Sequence, residues 1–205
     1  MGLRKDAEEN RQRLLQAGKE VFAERGLGAT LNDVAKHAGV GVGTAYRRFA
    51  NKQELFDAIL DDQVDEVETI LRDAIAMPDV DEALRHYLEE NLKLQVRDKA
   101  MAQMFAGKYA SQAFLDASRD RVAPLVNDLA QKAVDAGAVP PHVVGTDLIF
   151  IQVGILAIAE ITEPEYPGLY TRYAEMALAG LKAASPAHGP IDTEQTHRLM
   201  RGLKE

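Results

Sequence analysis

Apolar residues recur at helical spacing along almost the whole chain, and the strict alternation of a half-buried strand is nearly absent. Leu14, Leu15, Gly18, Val21 and Phe22 share one face of a first helix, closed by a basic last turn and a glycine at Arg25 and Gly26. Thr30 followed three residues later by Asp33 has the form of a capping box. It opens a second helix with Leu31, Val34, Ala35 and Ala38 on its apolar face, and Gly39 ends it. A third short helix is expected over about 42–49. Asn51 and Glu54 then open a long fourth helix, striped by Leu55, Phe56, Ile59, Leu60, Val64, Val67, Leu71 and Ile75 and stopped at Pro78.

The same period continues downstream. It predicts a helix over about 81–105, shorter pieces near 108–118 and 119–137, and a turn at Pro140 and Pro141. A strongly apolar helix follows over about 142–161, then a loop at 163–168 and a helix over about 169–184. Ser185 to Pro190 reads as a linker, and 192–203 as a short terminal helix capped by Asp192 with Gln195. The fold class is all-α. The organisation expected is a three-helix domain over 1–52, a helical body over 53–185, and a linker with a terminal helix over 186–205.

Gly39, Gly41 and Gly43 crowd the junction between the second and third helices. A dinucleotide fingerprint needs such glycines after a strand, whereas an amphipathic helix precedes these. A phosphate-binding loop needs lysine before its Ser or Thr, whereas Thr44 follows Gly43 directly. The remaining reading is a helix–turn–helix, with Gly39 left-handed at the end of one helix and the next helix entering the DNA major groove. Val40 would plug the turn into a small core with Val34, Ala35, Ala45 and Phe49, and Gly41 would stand at the N-cap of the reading helix.

Charge supports a division of labour. The net charge is −8, but residues 1–52 carry 10 basic side chains against 6 acidic ones, and the remainder 14 against 26. A basic end suits a polyanion. Arg4, Lys5, Arg11 and Arg13 leave two readings open, a basic arm that orders on DNA or an idle one. The chain has no cysteine, which excludes disulfides and thiolate chemistry. The apolar run Leu148–Ala159 is shorter than the roughly 20 residues of a membrane span. A soluble, cytoplasmic protein without a membrane partner is expected.

From about Arg11 to Leu60 the chain resembles the tetracycline-repressor (TetR) family of bacterial transcription regulators. The matching positions are Phe22 to Gly26, Ala29 and Thr30, Asp33 to Ala35, Ala38 to Val40, Gly43 and Thr44, Tyr46, Phe49, Lys52, Leu55 and Phe56. The resemblance implies phosphate contacts by Thr30, Tyr46 and Lys52, and a base or phosphate contact by Thr44. Arg47 and Arg48 stand where the family carries histidine or another polar residue, and which of them reads a base is left open. Gly41 and Val42 depart from the family's polar N-cap and lysine. That departure shifts base readout toward Thr44 and Arg47, with Val42 against a thymine methyl. The expected DNA-contacting set is therefore Thr30, Gly41, Val42, Gly43, Thr44, Tyr46, Arg47, Arg48 and Lys52, and the expected partner is double-stranded operator DNA.

A single short reading helix gives little affinity, so a homodimer on two half-sites is expected. The helix over 142–161 is apolar nearly all round, more than one core face requires. The expected interface is Val153, Gly154 and Ala157 with Leu169, Tyr173, Met176, Ala177 and Gly180. The resemblance also implies a small-molecule effector in the body that changes the spacing of the two DNA-binding heads. Tyr87, Met101, Met104, Phe105, Tyr109, Phe114 and Phe150 are the expected pocket lining, since methionines and aromatics suit an adaptable apolar cavity. Two other classes are weighed: a DNA-binding adaptor without a ligand, and a helical enzyme. No nucleophile motif or acid pair stands out, and His86 with Glu89 and Glu90 reads as a solvated face. No catalytic residue, metal ligand or cofactor is expected, and the function expected is a repressor modulated by a small molecule.

Overall fold

A computed structural model describes residues 2–25, 28–97, 112–183 and 185–202. No strand occurs among them. The helices are α1 (Gly2–Arg25), α2 (Leu31–His37), α3 (Val42–Arg48), α4 (Lys52–Ala76), α5 (Val80–Arg97), α6 (Gln112–Ala117), α7 (Ala123–Asp135), α8 (Gly145–Thr162), α9 (Tyr170–Lys182) and α10 (Thr193–Gly202). A π-helical turn, Ser118–Val122, joins α6 to α7. The chain divides into two compact units, Met1–Gln63 and Val64–Glu205, so the first half of α4 belongs to the N-terminal one.

In the N-terminal unit, α1 begins at Gly2, so the stretch holding Arg4, Lys5, Arg11 and Arg13 is helical. Leu14, Leu15, Gly18, Val21 and Phe22, the face expected from their spacing, are buried, and so is Ala17. Across from them, Leu55, Phe56, Ile59 and Leu60 of α4 are buried as well. The Phe22 and Phe56 rings meet edge to face, with centroids 5.6 Å apart. Gly18 admits Ile59: a Cβ there would stand 2.6 Å from the Ile59 Cδ1. At the start of α4 the Asn51 side chain accepts from the Glu54 N–H at 3.0 Å, so the cap expected at this point is present.

The C-terminal unit packs α8 against α5, α7 and α9. Its larger core holds Leu71, Tyr87, Val126, Leu129, Val143 and Leu148 among others; a smaller one forms around Leu88, Leu92, Ile155 and Tyr170. Lys132 of α7 donates to the carbonyls of Ile75, at 2.8 Å, and Met77, closing the C-terminal end of α4 where the backbone leaves acceptors unpaired.

Two boundaries differ from the expectation. The pieces near 108–118 and 119–137 are joined through the π-helical turn. Pro124 lies in the first turn of α7, has no N–H, and crowds the carbonyl four residues back, which a widened turn relieves. The apolar helix starts at Gly145 rather than near His142, because Asp147 accepts from the Val144 N–H at 2.9 Å and sets the first turn there. At 18 residues, α8 is long and apolar enough to cross a membrane by length and composition, contrary to the shorter run counted in sequence. It lies in contact with three other helices of the unit, and about two-fifths of it is buried.

Gly145 marks a close crossing. A Cβ there would lie 2.9 Å from the backbone nitrogen and 3.0 Å from the Cα of Asn127, and backbone cannot swing aside as a flexible side chain can. Gly145→Ala is expected to cost about 1–3 kcal/mol and to lower Tm by roughly 3–10 °C in a calorimetric scan. An unchanged Tm would show that α7 and α8 are not held at this separation.

Candidate nucleic-acid interface and ligand cavity

The turn between α2 and α3 is built as the glycines suggest. Thr30 N-caps α2: its hydroxyl accepts from the Asp33 N–H at 3.2 Å, and the Asp33 carboxylate accepts from the Thr30 N–H at 2.8 Å and from its hydroxyl at 2.6 Å. These bonds from the Thr30 hydroxyl, then its N–H, hold the Asp33 carboxyl below its usual range. A carboxyl so lowered stabilises the fold above its unfolded value, and that contribution is lost as pH falls through the lowered one. Gly39 is left-handed at φ 65°, and the Val40 N–H bonds back to the Ala35 carbonyl at 3.0 Å. Val34, Ala35, Val40, Ala45 and Phe49 are buried, so the small core expected around the turn is present.

Gly41 is the N-cap of α3 and offers no side-chain cap; its carbonyl accepts from the N–H groups of Thr44, at 2.8 Å, and Ala45, at 3.0 Å. Ala45 is the buried residue of α3, and the rest of the helix faces outward. Val42 is 46% exposed and Tyr46 47% exposed, so Tyr46 is not a core aromatic. Nothing lies within 4 Å of a Cβ placed on Gly43, which leaves the backbone of the first turn open to close approach.

The two arginines differ in their surroundings. Arg47 Nη2 donates to the Thr44 hydroxyl at 3.0 Å, which groups two candidate base readers on one face. Arg48 Nη2 lies 3.6 Å from Glu8 Oε2 and so points back to α1. Lys52 is half-buried as the first residue of α4. A second link from α1 is the Glu20 carboxylate, 2.6 Å from His37 Nε2 at the end of α2. Hydrogen bonds from Gln16 first and His37 second hold the Glu20 carboxyl below its usual range. Neither Glu8 nor Glu20 was expected to touch the reading unit. Their partners lie 40 and 17 residues away along the chain, beyond any local pattern.

The C-terminal unit contains a cavity of about 130 Å³. Val64 and Val67 of α4 and Tyr87 and Asn91 of α5 form part of its wall. Leu115, Ser118, Arg119, Val122 and Ala123 come from α6, the π-helical turn and the start of α7. Thr146, Ile149, Gln152 and Val153 come from α8, and Thr193, Thr196, His197 and Met200 from α10. Gln152 Oε1 accepts from the Tyr87 hydroxyl at 3.1 Å and from Asn91 Nδ2 at 3.0 Å; Gln95 Nε2 donates to Asn91 Oδ1 at 2.8 Å. Burial raises the Tyr87 phenol far above its ordinary value, against a smaller opposing effect from Asn91, and keeps it neutral.

The lining expected from sequence is only partly of this kind. Tyr87 is in the wall. Phe150 is not: it is 40% exposed, because its neighbours Ile149, Gln152 and Val153 occupy the inward face of α8 and turn position 150 outward. Met101, Met104, Phe105 and Tyr109 lie outside the described residues, as does the side chain of Phe114. The four residues from α10 and the polar set around Gln152 were not anticipated, since aromatic and methionine clustering carries no information about a tail folding back.

Of the interface residues expected from sequence, Val153 lines the cavity. Gly154 and Ala157 are exposed and lie on one stripe of α8 with Phe150 and Ile161, the last 79% exposed. On α9, Tyr173, Met176 and Gly180 are exposed, while Ala177 and, just before the helix, Leu169 are half-buried. Among the described residues, no cluster of three histidines or carboxylates could hold a metal ion.

A short exposed helix held by a glycine turn over a capped partner defines a helix–turn–helix DNA-binding protein. The family profile of bacterial regulatory proteins of the tetR family matches residues 14–59, and that of the SbtR-like transcriptional regulator C-terminal domain matches 79–183. The chain belongs to the TetR family, whose members are transcription regulators and not enzymes. An HTH-type transcriptional regulator of Staphylococcus aureus strain USA300 is 44% identical over 54 residues, 26% of this chain and 29% of that protein. The match thus spans less than a third of the length of such relatives. The TetR transcriptional regulator SCO0520 from Streptomyces coelicolor is 26% identical, with TM-score 0.64 over 87% of this chain and 99% of the other. The regulator FadR from Bacillus subtilis, solved in complex with stearoyl-CoA, is 15% identical, with TM-score 0.70 over 85% of this chain and 99% of the other, and is alike in fold.

Proposed function

We propose that this chain is a cytoplasmic, homodimeric repressor that binds operator DNA through α3 and whose operator binding is modulated by a small molecule in the cavity of the C-terminal unit. The observation that carries the DNA-binding part is α3 itself. Its outward face presents Val42, Thr44, Tyr46 and Arg47 around a bare Gly43, a surface with no role in the core. Arg47 and Thr44 suit base edges, Tyr46 and Lys52 suit phosphates, and Thr30 adds a hydroxyl at the start of α2. Dimerisation is supported by the exposed stripe of α8 beside exposed Tyr173 and Met176 of α9. Apolar side chains aligned at helical spacing on two adjacent helices suit a four-helix contact between two copies. Effector control is supported by the cavity, which combines apolar walls with a buried polar network.

Selection of genomic fragments by the full chain tests this reading. A palindromic or near-palindromic site is expected, with affinity falling on the order of 10³-fold between about 50 and 200 mM salt as phosphate contacts displace counterions. Recovery of no preferred fragment, or an affinity indifferent to salt, would refute it.

A further inference from the structure

The matched C-terminal family domain ends at residue 183, yet α10 beyond it packs into the same unit. Thr193, Thr196, His197 and Met200 recur at the spacing of one helical face and all line the cavity. The helix is anchored at its start. Asp192 and Gln195 exchange hydrogen bonds at 2.7 and 2.8 Å, and the Thr146 hydroxyl donates to the Ile191 carbonyl at 2.7 Å. The Thr196 hydroxyl is spent on the Asp192 carbonyl at 2.9 Å.

His197 is different. Its side chain is 5% exposed, and its Nε2 makes no hydrogen bond, although Asp116 Oδ1 approaches to 3.4 Å without the alignment of one. His197 lines the cavity, and a buried polar nitrogen without a hydrogen bond costs free energy until something bonds to it. In the same cavity both acceptor sites of Gln152 Oε1 are taken, so the remaining capacity of that amide is its N–H donors. Arg119, the one formally charged lining residue among those described, already donates to Asp120 at 2.7 and 3.1 Å. The rest of the wall is mostly apolar, and the volume is close to the roughly 150 Å³ that holds a benzene ring.

We infer that α10 completes the effector site and that His197 hydrogen-bonds the head group of a small uncharged ligand, an apolar body carrying a hydroxyl or carbonyl oxygen. This rests on the cavity being the effector site. The ligand body lies against Val64, Val67, Ile149, Val153 and Met200, and the oxygen meets His197 and the Gln152 amide.

The test uses the full chain with two probes of one ring size, benzyl alcohol and toluene, with affinities read by ligand-observed NMR. His197→Phe is expected to weaken benzyl alcohol about fivefold to tenfold and to leave toluene unchanged, while His197→Gln keeps most of the alcohol affinity. Equal weakening of both probes, no weakening of either, or no binding of either probe to the unaltered chain at millimolar concentration would overturn the inference. Tighter binding of stearoyl-CoA than of benzyl alcohol would overturn it too. Because the chain has no cysteine, Met200→Cys supplies a single thiol on the cavity face of α10. Saturating benzyl alcohol should slow its maleimide labelling at least about threefold, since the probe would lie against it. An unchanged rate places the probe away from α10 and overturns the inference even if His197→Phe fails to fold. DNA binding is measured separately. Absent operator binding with these probe results intact refutes the repressor and spares the site; operator binding with indiscriminate probes does the reverse.

Discussion

Ala157→Glu is expected to leave a folded protein that light scattering weighs as a monomer and that binds operator DNA about 10²–10⁴-fold more weakly than the unaltered chain. Ala157 is exposed in the middle of the α8 stripe that runs from Phe150 through Gly154 to Ile161. In a single copy the new carboxylate would stand in water and cost little. Between two copies it would be buried without a partner, which an apolar contact does not tolerate. The effect on DNA follows from linkage. One seven-residue reading helix makes few contacts, and the second head binds as though at high local concentration only while the two copies are joined. Far-ultraviolet circular dichroism would show the helices intact. A dimer of unchanged mass would move the interface off this stripe.

Arg47→Ala should reduce the discrimination between operator and scrambled duplex by about 1–3 kcal/mol, while Arg48→Ala should change it little. The sequence leaves the two arginines equivalent in charge and neighbouring in position. The structure separates them: Arg47 is bonded to Thr44 on the outward face, and Arg48 is drawn to Glu8 of α1. An exposed ion pair of this kind contributes little stability, but it biases where the guanidinium points. Lys52→Ala supplies the contrast. It should weaken both duplexes by a similar factor and reduce the salt slope by about one, as loss of a phosphate contact does. Competition binding at two salt concentrations reads all three variants. Greater loss of discrimination from Arg48→Ala than from Arg47→Ala would reverse the assignment.

The reading unit was legible in advance because its determinants are local. Thr30 and Asp33 are one helical turn apart, and Gly39 supplies a left-handed residue at the end of that helix. Val40, Ala45 and Phe49 are set by the same short register. The cavity was poorly legible. Clustering of Met101, Met104, Phe105 and Tyr109 drew attention to a stretch outside the described residues. Meanwhile Phe150 turned out to face outward, beside an inward Gln152. In a helix apolar on all sides, hydropathy cannot say which face is inside, so the sequence did not show that Val153 lines the cavity.

The sequence by itself determined an all-α chain, the helix–turn–helix, its family and the residues of α3. Capping, glycine conformation and apolar period act between residues a turn or two apart, and each leaves a mark in the letters. Tertiary structure alone decided which arginine is held by Glu8, that Gly145 lets α8 rest on Asn127, and that His197 of the terminal helix closes a cavity begun by Val64. Those depend on contacts between residues 18 to more than 130 positions apart. No local pattern encodes which distant surface a buried polar group will meet.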